Sequence, residues 1–403
     1  MKNRDAYLRQ LILFRDKSPI KVITGVRRCG KSTLLDLFEQ YLLDDGVFME
    51  SIIRMNFESL DFDDIKNYKD LHKRVRERLD HSATRAMNYV LLDEVQCVAE
   101  WEKAVNSLRL LPNTDIYITG SNAHLLASEL STLLSGRYVE IKMLPLSFKE
   151  YLDFNDYGVG GDIAEHFNQY LTYGAFPGVT EIREHKETIR PFLSGIYNTI
   201  LIKDVVSRGT VRDPALLDSV MRFLCANIGN PVSVKSVSDY LTSAGRKTAG
   251  DTIDNYLALL ESAFILYKAR RFDVRGKAHL KTQGKYYLVD TGIRNELLGF
   301  RGHDYGAELE NVVYFELLRR GFDVSIGKVG ALEVDFVATK PDKVLYCQVT
   351  ASMLDERTRE RELAPLRGIA DNYEKIVLSM DKTPYTDFDG VLNVNLLDFL
   401  LSA

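Results

Sequence analysis

Eight consecutive residues, Gly25-Val26-Arg27-Arg28-Cys29-Gly30-Lys31-Ser32, spell G-x-x-x-x-G-K-S. Glycines at both ends let backbone N–H groups turn inward around a phosphate, and a helix opening at the far end adds its positive pole. A lysine so placed reaches the β- and γ-phosphates, and the serine after it offers a hydroxyl to Mg²⁺. The spacing predicts a nucleoside-triphosphate pocket, with Gly25, Arg28, Gly30, Lys31, Ser32 and Thr33 as its candidate residues. Arg27 and Arg28 lie inside the loop, where they face phosphates, a neighbouring subunit or solvent.

A second cluster closes the apolar run Tyr89-Val90-Leu91-Leu92 with Asp93-Glu94. Carboxylates at the end of a buried strand are suited to a metal and a water. Asp93 is the candidate for holding Mg²⁺, together with Ser32, and Glu94 for polarising the water that attacks the γ-phosphorus. A third polar cluster, Thr119-Gly120-Ser121-Asn122, ends another strand. Asn122 or Ser121 there could orient the lytic water, with Thr119 a lesser candidate; the cluster could equally cap the next helix. Arg137, in Leu134-Ser135-Gly136-Arg137, is either an arginine finger for a neighbouring subunit's nucleotide, implying an oligomer, or a surface ion pair.

The elements that must carry these residues are short β-branched or aromatic runs alternating with helical stretches, the pattern of a parallel sheet with crossover helices. The runs are 20–24, 52–56, 89–93, 116–120 and 138–143, and the helix after the loop spans 33–41. Beyond Pro145 the chain reads as helical over 148–154, 163–171 and 189–206, interrupted by the turn Tyr173-Gly174-Ala175-Phe176-Pro177-Gly178. Helices at 234–241 and 251–262, around the turn Arg246-Lys247-Thr248, precede strands at 264–272 and 285–289. That is the order of a winged helix. Helices at 307–320 and 356–370 and strands at 323–326, 333–338, 344–349 and 375–379 form a third part.

With its loop, acid pair and polar strand end, the chain resembles the prokaryotic AAA+ ATPases that carry a C-terminal domain long described only as of unknown function. Tyr173-Gly174-Ala175-Phe176-Pro177 and Gly306-Ala307-Glu308-Leu309-Glu310-Asn311 extend the likeness into the C-terminal half. The resemblance implies an α/β P-loop AAA+ domain over 1–150, a helical linker and winged helix over 151–300, and a restriction-endonuclease-like α/β domain over 301–403. It implies no settled substrate.

Two features of the C-terminal half bear on a partner. Lys268, Arg270, Arg271, Arg275, Lys277, Lys281 and Lys285 are opposed over that stretch only by Asp273. On a hairpin, alternate cations share a face and could track a phosphate backbone, or simply discourage edge pairing. With Arg246 and Lys247, the cations Arg270, Arg271, Arg275 and Lys277 are the candidates for DNA contact. The second feature is Glu333-Val334-Asp335 followed by Tyr346-Cys347-Gln348-Val349-Thr350. It is similar to a nuclease pattern in which an Asp and then E-x-K gather Mg²⁺. Asp335 stands and Glu310, Glu316 or Glu333 could add an acid, but Gln348 and Thr350 replace the acid and the lysine, so the expectation is a degenerate site.

Bulk properties agree. At 403 residues the chain exceeds one ordinary domain, and 27% charged residues suit a globular protein. No apolar run approaches the roughly 18 residues that cross a bilayer. Cys29, Cys97, Cys225 and Cys347 never pair as C-x-x-C, against zinc and a disulfide framework. The N-terminus does not read as a signal peptide, so the expected place is the cytoplasm. Net charge is −5, yet residues 201–300 carry 15 Lys and Arg against 10 Asp and Glu. The expected function is a Mg²⁺–ATP hydrolase, self-associating, that binds or remodels DNA, branched or junction DNA by analogy. The alternatives are a regulatory switch acting on a protein partner and an active nuclease.

Overall fold

The computed structural model describes residues 2, 4–79, 87–123, 136–157, 161–207, 209, 211–276, 278–279, 283–300, 305–382 and 386–402. The chain divides into two compact units, Met1–Met143 with Ser262–Phe264, and Leu144–Glu261 with Ile265–Ala403.

In the first unit five strands, β1 (Ile20–Thr24), β2 (Ile52–Asn56), β3 (Asn88–Asp93), β4 (Thr114–Gly120) and β5 (Tyr138–Lys142), pair in parallel in the order β2-β3-β4-β1-β5. Every residue of β1 and β3 is buried, so both faces of the sheet are covered. Alternation along the strands sorts the two faces. Val90, Leu92, Ile116 and Ile118 pack against Leu71, Val75, Val105 and Leu108 of helices α3 (Tyr68–Arg78) and α4 (Trp101–Leu108). The opposite face receives α2 (Lys31–Asp44), whose Phe38 lies 4.5 Å from the Tyr117 ring. Helix α1 (Asp5–Leu13) packs on α2.

A buried ion pair ties β1 to β4 near their N-terminal ends. The Lys21 ammonium donates to Asp115 and to the Lys17 carbonyl, while Asp115 also accepts from the Tyr117 hydroxyl and the Asp16 N–H. Burial pushes the lysine down and the carboxyl up, and each partner's charge opposes the shift of the other.

The second unit begins with helices α5 (Phe148–Phe154), α6 (Ile163–Tyr173), α7 (Pro177–Ile182), α8 (Lys186–Thr199) and α9 (Pro214–Ala226). The single helix expected over 189–206 is two pieces, because the backbone widens to a π-helix at Ile200–Val206. The turn between α6 and α7 is locked by Asp290, which caps α12 (Thr291–Leu298) and accepts from the N–H groups of Ala175 and Ile293. Gly174, at φ +82°, is required there: a Cβ would lie 2.3 Å from the Asp290 carboxylate.

Burial raises the Asp290 carboxyl from 3.8 to about 6, against those backbone bonds. Between pH ~4 and ~6 the folded chain therefore binds more protons here than the unfolded chain, and this group's contribution to stability falls as pH rises. Above that window it is level. Comparing urea midpoints of the wild type and Asp290→Asn from pH 4 to 7, we expect the difference to change with pH only below about 6. A constant difference would contradict the assignment.

Three strands, β6 (Pro231–Val232), β7 (Leu266–Ala269) and β10 (Gly284–Leu288), form an antiparallel sheet in the order β6-β10-β7, with α10 (Val234–Ser243) and α11 (Gly250–Ser262) between β6 and β7. An eight-stranded mixed sheet runs β15-β16-β14-β13-β12-β11-β8-β9. Its strands are β8 (Arg271–Asp273), β9 (Ala278–His279), β11 (Asp323–Val329), β12 (Leu332–Lys340), β13 (Lys343–Thr350), β14 (Glu374–Ser379), β15 (Thr386–Asp387) and β16 (Leu392–Asn395). Helices α13 (Tyr305–Arg319), α14 (Glu356–Arg367) and α15 (Leu396–Leu401) accompany it, with Leu363 and Leu366 packed on Val334 and Val377.

One expectation is corrected here. The strand read over 264–272 breaks at Arg270: β7 stays in the small sheet, while β8 pairs in parallel with β11 of the large one. The cations after Ala269 therefore do not continue one hairpin. Among the described residues, no helix is long and apolar enough to cross a membrane.

Candidate functional site

The strand order places β4 between β1 and β3, so the segments leaving all three come together beyond the C-terminal edge of the sheet. Gly25 leaves β1 at φ +153°, with its Cα so close to Met143 that a Cβ would stand 2.1 Å from that carbonyl oxygen. Gly30, at φ +103°, turns the chain into α2, whose first turn has no side-chain cap. Uncapped N–H groups at a helix start are free to meet an anion. Lys31 is the first helical residue. Its ammonium is buried, donates to the carbonyls of Gly25 (3.0 Å) and Val26 (3.3 Å), and lies 3.6 Å from a Glu94 oxygen. Ser32 is half-buried beside it, and the Thr33 side chain is exposed.

The acids arrive from β3. Thr119 of β4 holds both: its hydroxyl donates to Asp93 Oδ1 and accepts from the Glu94 N–H at 2.9 Å. That bond keeps Glu94 at φ +53°, an uncommon conformation for a side-chain-bearing residue and one often found at functional sites. The Glu94 carboxylate accepts from the Ser121 hydroxyl at 3.3 Å and from the Gln96 amide. Asn122 is buried at the end of β4. Thr119 is thus a clasp for the acid pair, whereas Ser121 touches the candidate base.

The two loop arginines part company. Arg27 is buried, binds Glu58 at 2.6 Å, and brings its other nitrogen to 3.5 Å from Ser121 Oγ and 4.0 Å from Glu94. Arg28 stands exposed at φ +69°. Arg137 is not brought to this edge. Its carbonyl accepts from the Ile20 N–H at the N-terminal end of β1, and its guanidinium meets Asn106 at 3.4 Å. A five-residue strand, roughly 16 Å long, separates it from its own phosphate loop.

Arg54 was not singled out by sequence. From β2 it reaches Asp93 (3.3 Å), Asp36 (3.0 Å) and the Ser32 carbonyl (3.4 Å), neutralising the acid that is the candidate metal ligand. The available signal was a lone cation in the apolar run Ile52-Ile53-Arg54-Met55 beside the acid strand.

Of the candidate DNA-contacting cations, Arg246, Lys247, Arg270 and Arg275 are exposed. Arg271 is half-buried, 3.7 Å from Glu333. Lys277, Lys281, Leu134 and Ser135 lie outside the described residues. Lys285, read with the basic loop, is instead buried on β10. Its ammonium bonds Glu310 of α13 and Glu333 of β12, each at 2.9 Å, with Asp335 at 3.8 Å. The candidate acids Glu310 and Asp335 do converge, around a lysine. Gln348 does not join them: it accepts from the Asp335 N–H at 2.6 Å and donates to Glu362 at 2.8 Å.

A buried ammonium facing carbonyls and a carboxylate, an uncapped helix start, and Asp93 and Ser32 both reached by Arg54 make a donor set that fits Mg²⁺ with a triphosphate. Sheet order, loop and acid strand together define the first unit as a P-loop α/β domain. Residues 17–152 match a family described as an AAA domain, and residues 164–304 match a domain of unknown function. An uncharacterized protein of Haemophilus influenzae is 45% identical over all of this chain and 99% of its own length. One from Methanocaldococcus jannaschii is 31% identical over 85% of this chain and 77% of its own. The chain belongs to the family of these relatives and carries an AAA-type ATPase domain. The Walker-type ATPase of Pyrococcus abyssi shares the fold, with TM-score 0.55 at 16% identity over 74% of this chain and 96% of that one.

Proposed function

We propose that the chain binds and hydrolyses Mg²⁺–ATP at the C-terminal edge of the first unit's sheet and uses the nucleotide state to act on DNA through its second unit. The observation that carries the first half is the meeting of Lys31 and Glu94, an ammonium and a carboxylate from two different strand ends, 3.6 Å apart. In this reading Lys31 and the loop N–H groups hold the phosphates, while Ser32 and Asp93 hold the metal. Glu94 orients and deprotonates the water, with Ser121 and Asn122 fixing its direction. Arg27, rather than Arg28, faces the phosphates. Arg137, remote from its own loop, serves a neighbouring subunit's site in an oligomer.

For the second half, helix α9, β6, α10, α11, β7 and β10 follow the order of a winged helix, supporting that reading of residues 151–300. Exposed Arg246, Lys247, Arg270 and Arg275 are its candidate phosphate contacts, reading backbone and shape more than base sequence. Residues 301–403 we read as a nuclease-like fold without activity: Gln348 is engaged by Glu362, and an ammonium stands among the acids. Forked or four-way DNA should bind with an affinity that falls steeply with salt and should raise ATP turnover. Replacing the four exposed cations with alanine should reduce the salt slope by about one unit per lost phosphate contact. Absence of binding at low salt would end the DNA reading and leave the ATPase standing.

A further inference from the structure

The turn Tyr173–Gly178, locked by Asp290 and Gly174, lies outside the nucleotide site and the candidate DNA contacts. It sets α7 against α5 and α8, and these helices with α6 enclose a cavity of about 210 Å³. Tyr151, Tyr157 and Tyr173 give its walls flat faces, and Val179 and Ile189 add aliphatic ones. About seven waters would fill that volume, which is below the roughly 300 Å³ where sites for drug-sized ligands begin. A single ring with one polar group is the size that fits.

The charge in the wall is fixed in place. Half-buried Arg183 donates through Nη1 to the Asn155 carbonyl and, at 2.7 Å, to the Asn155 side-chain oxygen. Asn155 is itself buried and donates to the Tyr151 carbonyl at 2.7 Å. The guanidinium carbon lies 5.1 Å from the centre of the Tyr157 ring, which stacks on His166 at 3.7 Å. All the protein partners of this guanidinium are neutral, and its Nε and Nη2 make no hydrogen bond to the described residues. Lys186, exposed at the mouth, likewise forms no ion pair among the described residues. The single carboxylate of the lining, Glu184, is exposed.

We propose that this cavity binds a small aromatic carboxylate, with its ring among the tyrosines and its carboxylate on Arg183. A planar guanidinium with two N–H directions unspent matches a carboxylate, and Lys186 adds attraction at the mouth. The same two cations repel a cationic ligand, and a neutral one leaves the half-buried charge of Arg183 without a counter-ion. A nucleotide exceeds the volume. The site is independent of the ATPase and DNA readings.

The test follows para-fluorobenzoate by fluorine NMR in the presence of nucleotide-free, full-length protein. Its line should broaden with a Kd on the order of 10⁻³ M, as suits a single-ring ligand. Para-fluorobenzamide, of the same shape without the charge, should bind at least ~10-fold more weakly. Arg183→Gln should weaken the acid by roughly 10-fold or more, and Lys186→Glu, at an exposed position, by roughly 3-fold. Saturating Mg²⁺–ATP should leave binding unchanged. Equal binding of acid and amide, unchanged binding in both variants, or no binding at about 10 mM acid would overturn the proposal. Displacement by ATP would also overturn it, by placing the probe in the phosphate loop. Should Arg183→Gln fail to fold, Lys186→Glu and the acid–amide pair decide.

Discussion

Glu94→Gln is expected to keep ATP and to stop releasing phosphate. The carboxylate sits between Lys31, Ser121 and Gln96, so an amide of the same shape retains contacts in the site but cannot take a proton. We expect turnover to fall by ~10²–10⁴-fold, the usual worth of a positioned general base, while bound ATP survives passage through a desalting column. Lys31→Ala, by contrast, should lose the nucleotide itself. The pair separates the two roles: one variant is full and idle, the other empty. Normal phosphate release by Glu94→Gln would move the base to another residue.

The second large effect is expected where no side chain exists. A methyl at Gly25 would meet the Met143 carbonyl at 2.1 Å, a backbone atom that cannot swing aside, at a φ of +153° that L-residues avoid. The strand end or the loop must therefore shift, and the Gly25 carbonyl that positions the Lys31 ammonium shifts with it. Strain of about 1–3 kcal/mol, expressed in the loop, corresponds to roughly 5–150-fold weaker ATP binding. Titration of Gly25→Ala with a fluorescent ATP analogue reads this directly. Gly46, whose added Cβ would meet nothing within 4 Å, is the matched control, because it too lies at positive φ. Equal loss at both positions would mean that general strain, not the loop, is responsible.

The first unit was legible because its signals are local. Its central strands β1 and β3 are short, largely apolar runs buried on both faces, and the phosphate loop is one continuous segment, so the sequence carries both without knowledge of pairing. Residues whose meaning depends on distant partners were harder. Lys285 looked like one cation in a basic stretch, and only the packing of α13 against β10 reveals Glu310, 25 residues on, beside it. Arg271 follows the same rule, since nothing between Ala269 and Asp273 announces that the chain changes sheets. Arg54 was overlooked because a cation in an apolar strand reads as a flaw in the pattern until the acid strand is laid against it. Arg27 and Arg28 are chemically equal, and the φ of +69° that sends their side chains apart has no signature in composition.

The central claim is that Gly25–Ser32, Asp93 and Glu94 form a working site for a nucleoside triphosphate. Isothermal titration of the purified, folded chain with Mg²⁺–ATP, followed by phosphate release on the same sample, tests it most directly. We expect one nucleotide per chain, bound only weakly once Mg²⁺ is chelated, and phosphate released over time. A folded protein that takes up no ATP at millimolar concentration would contradict the account.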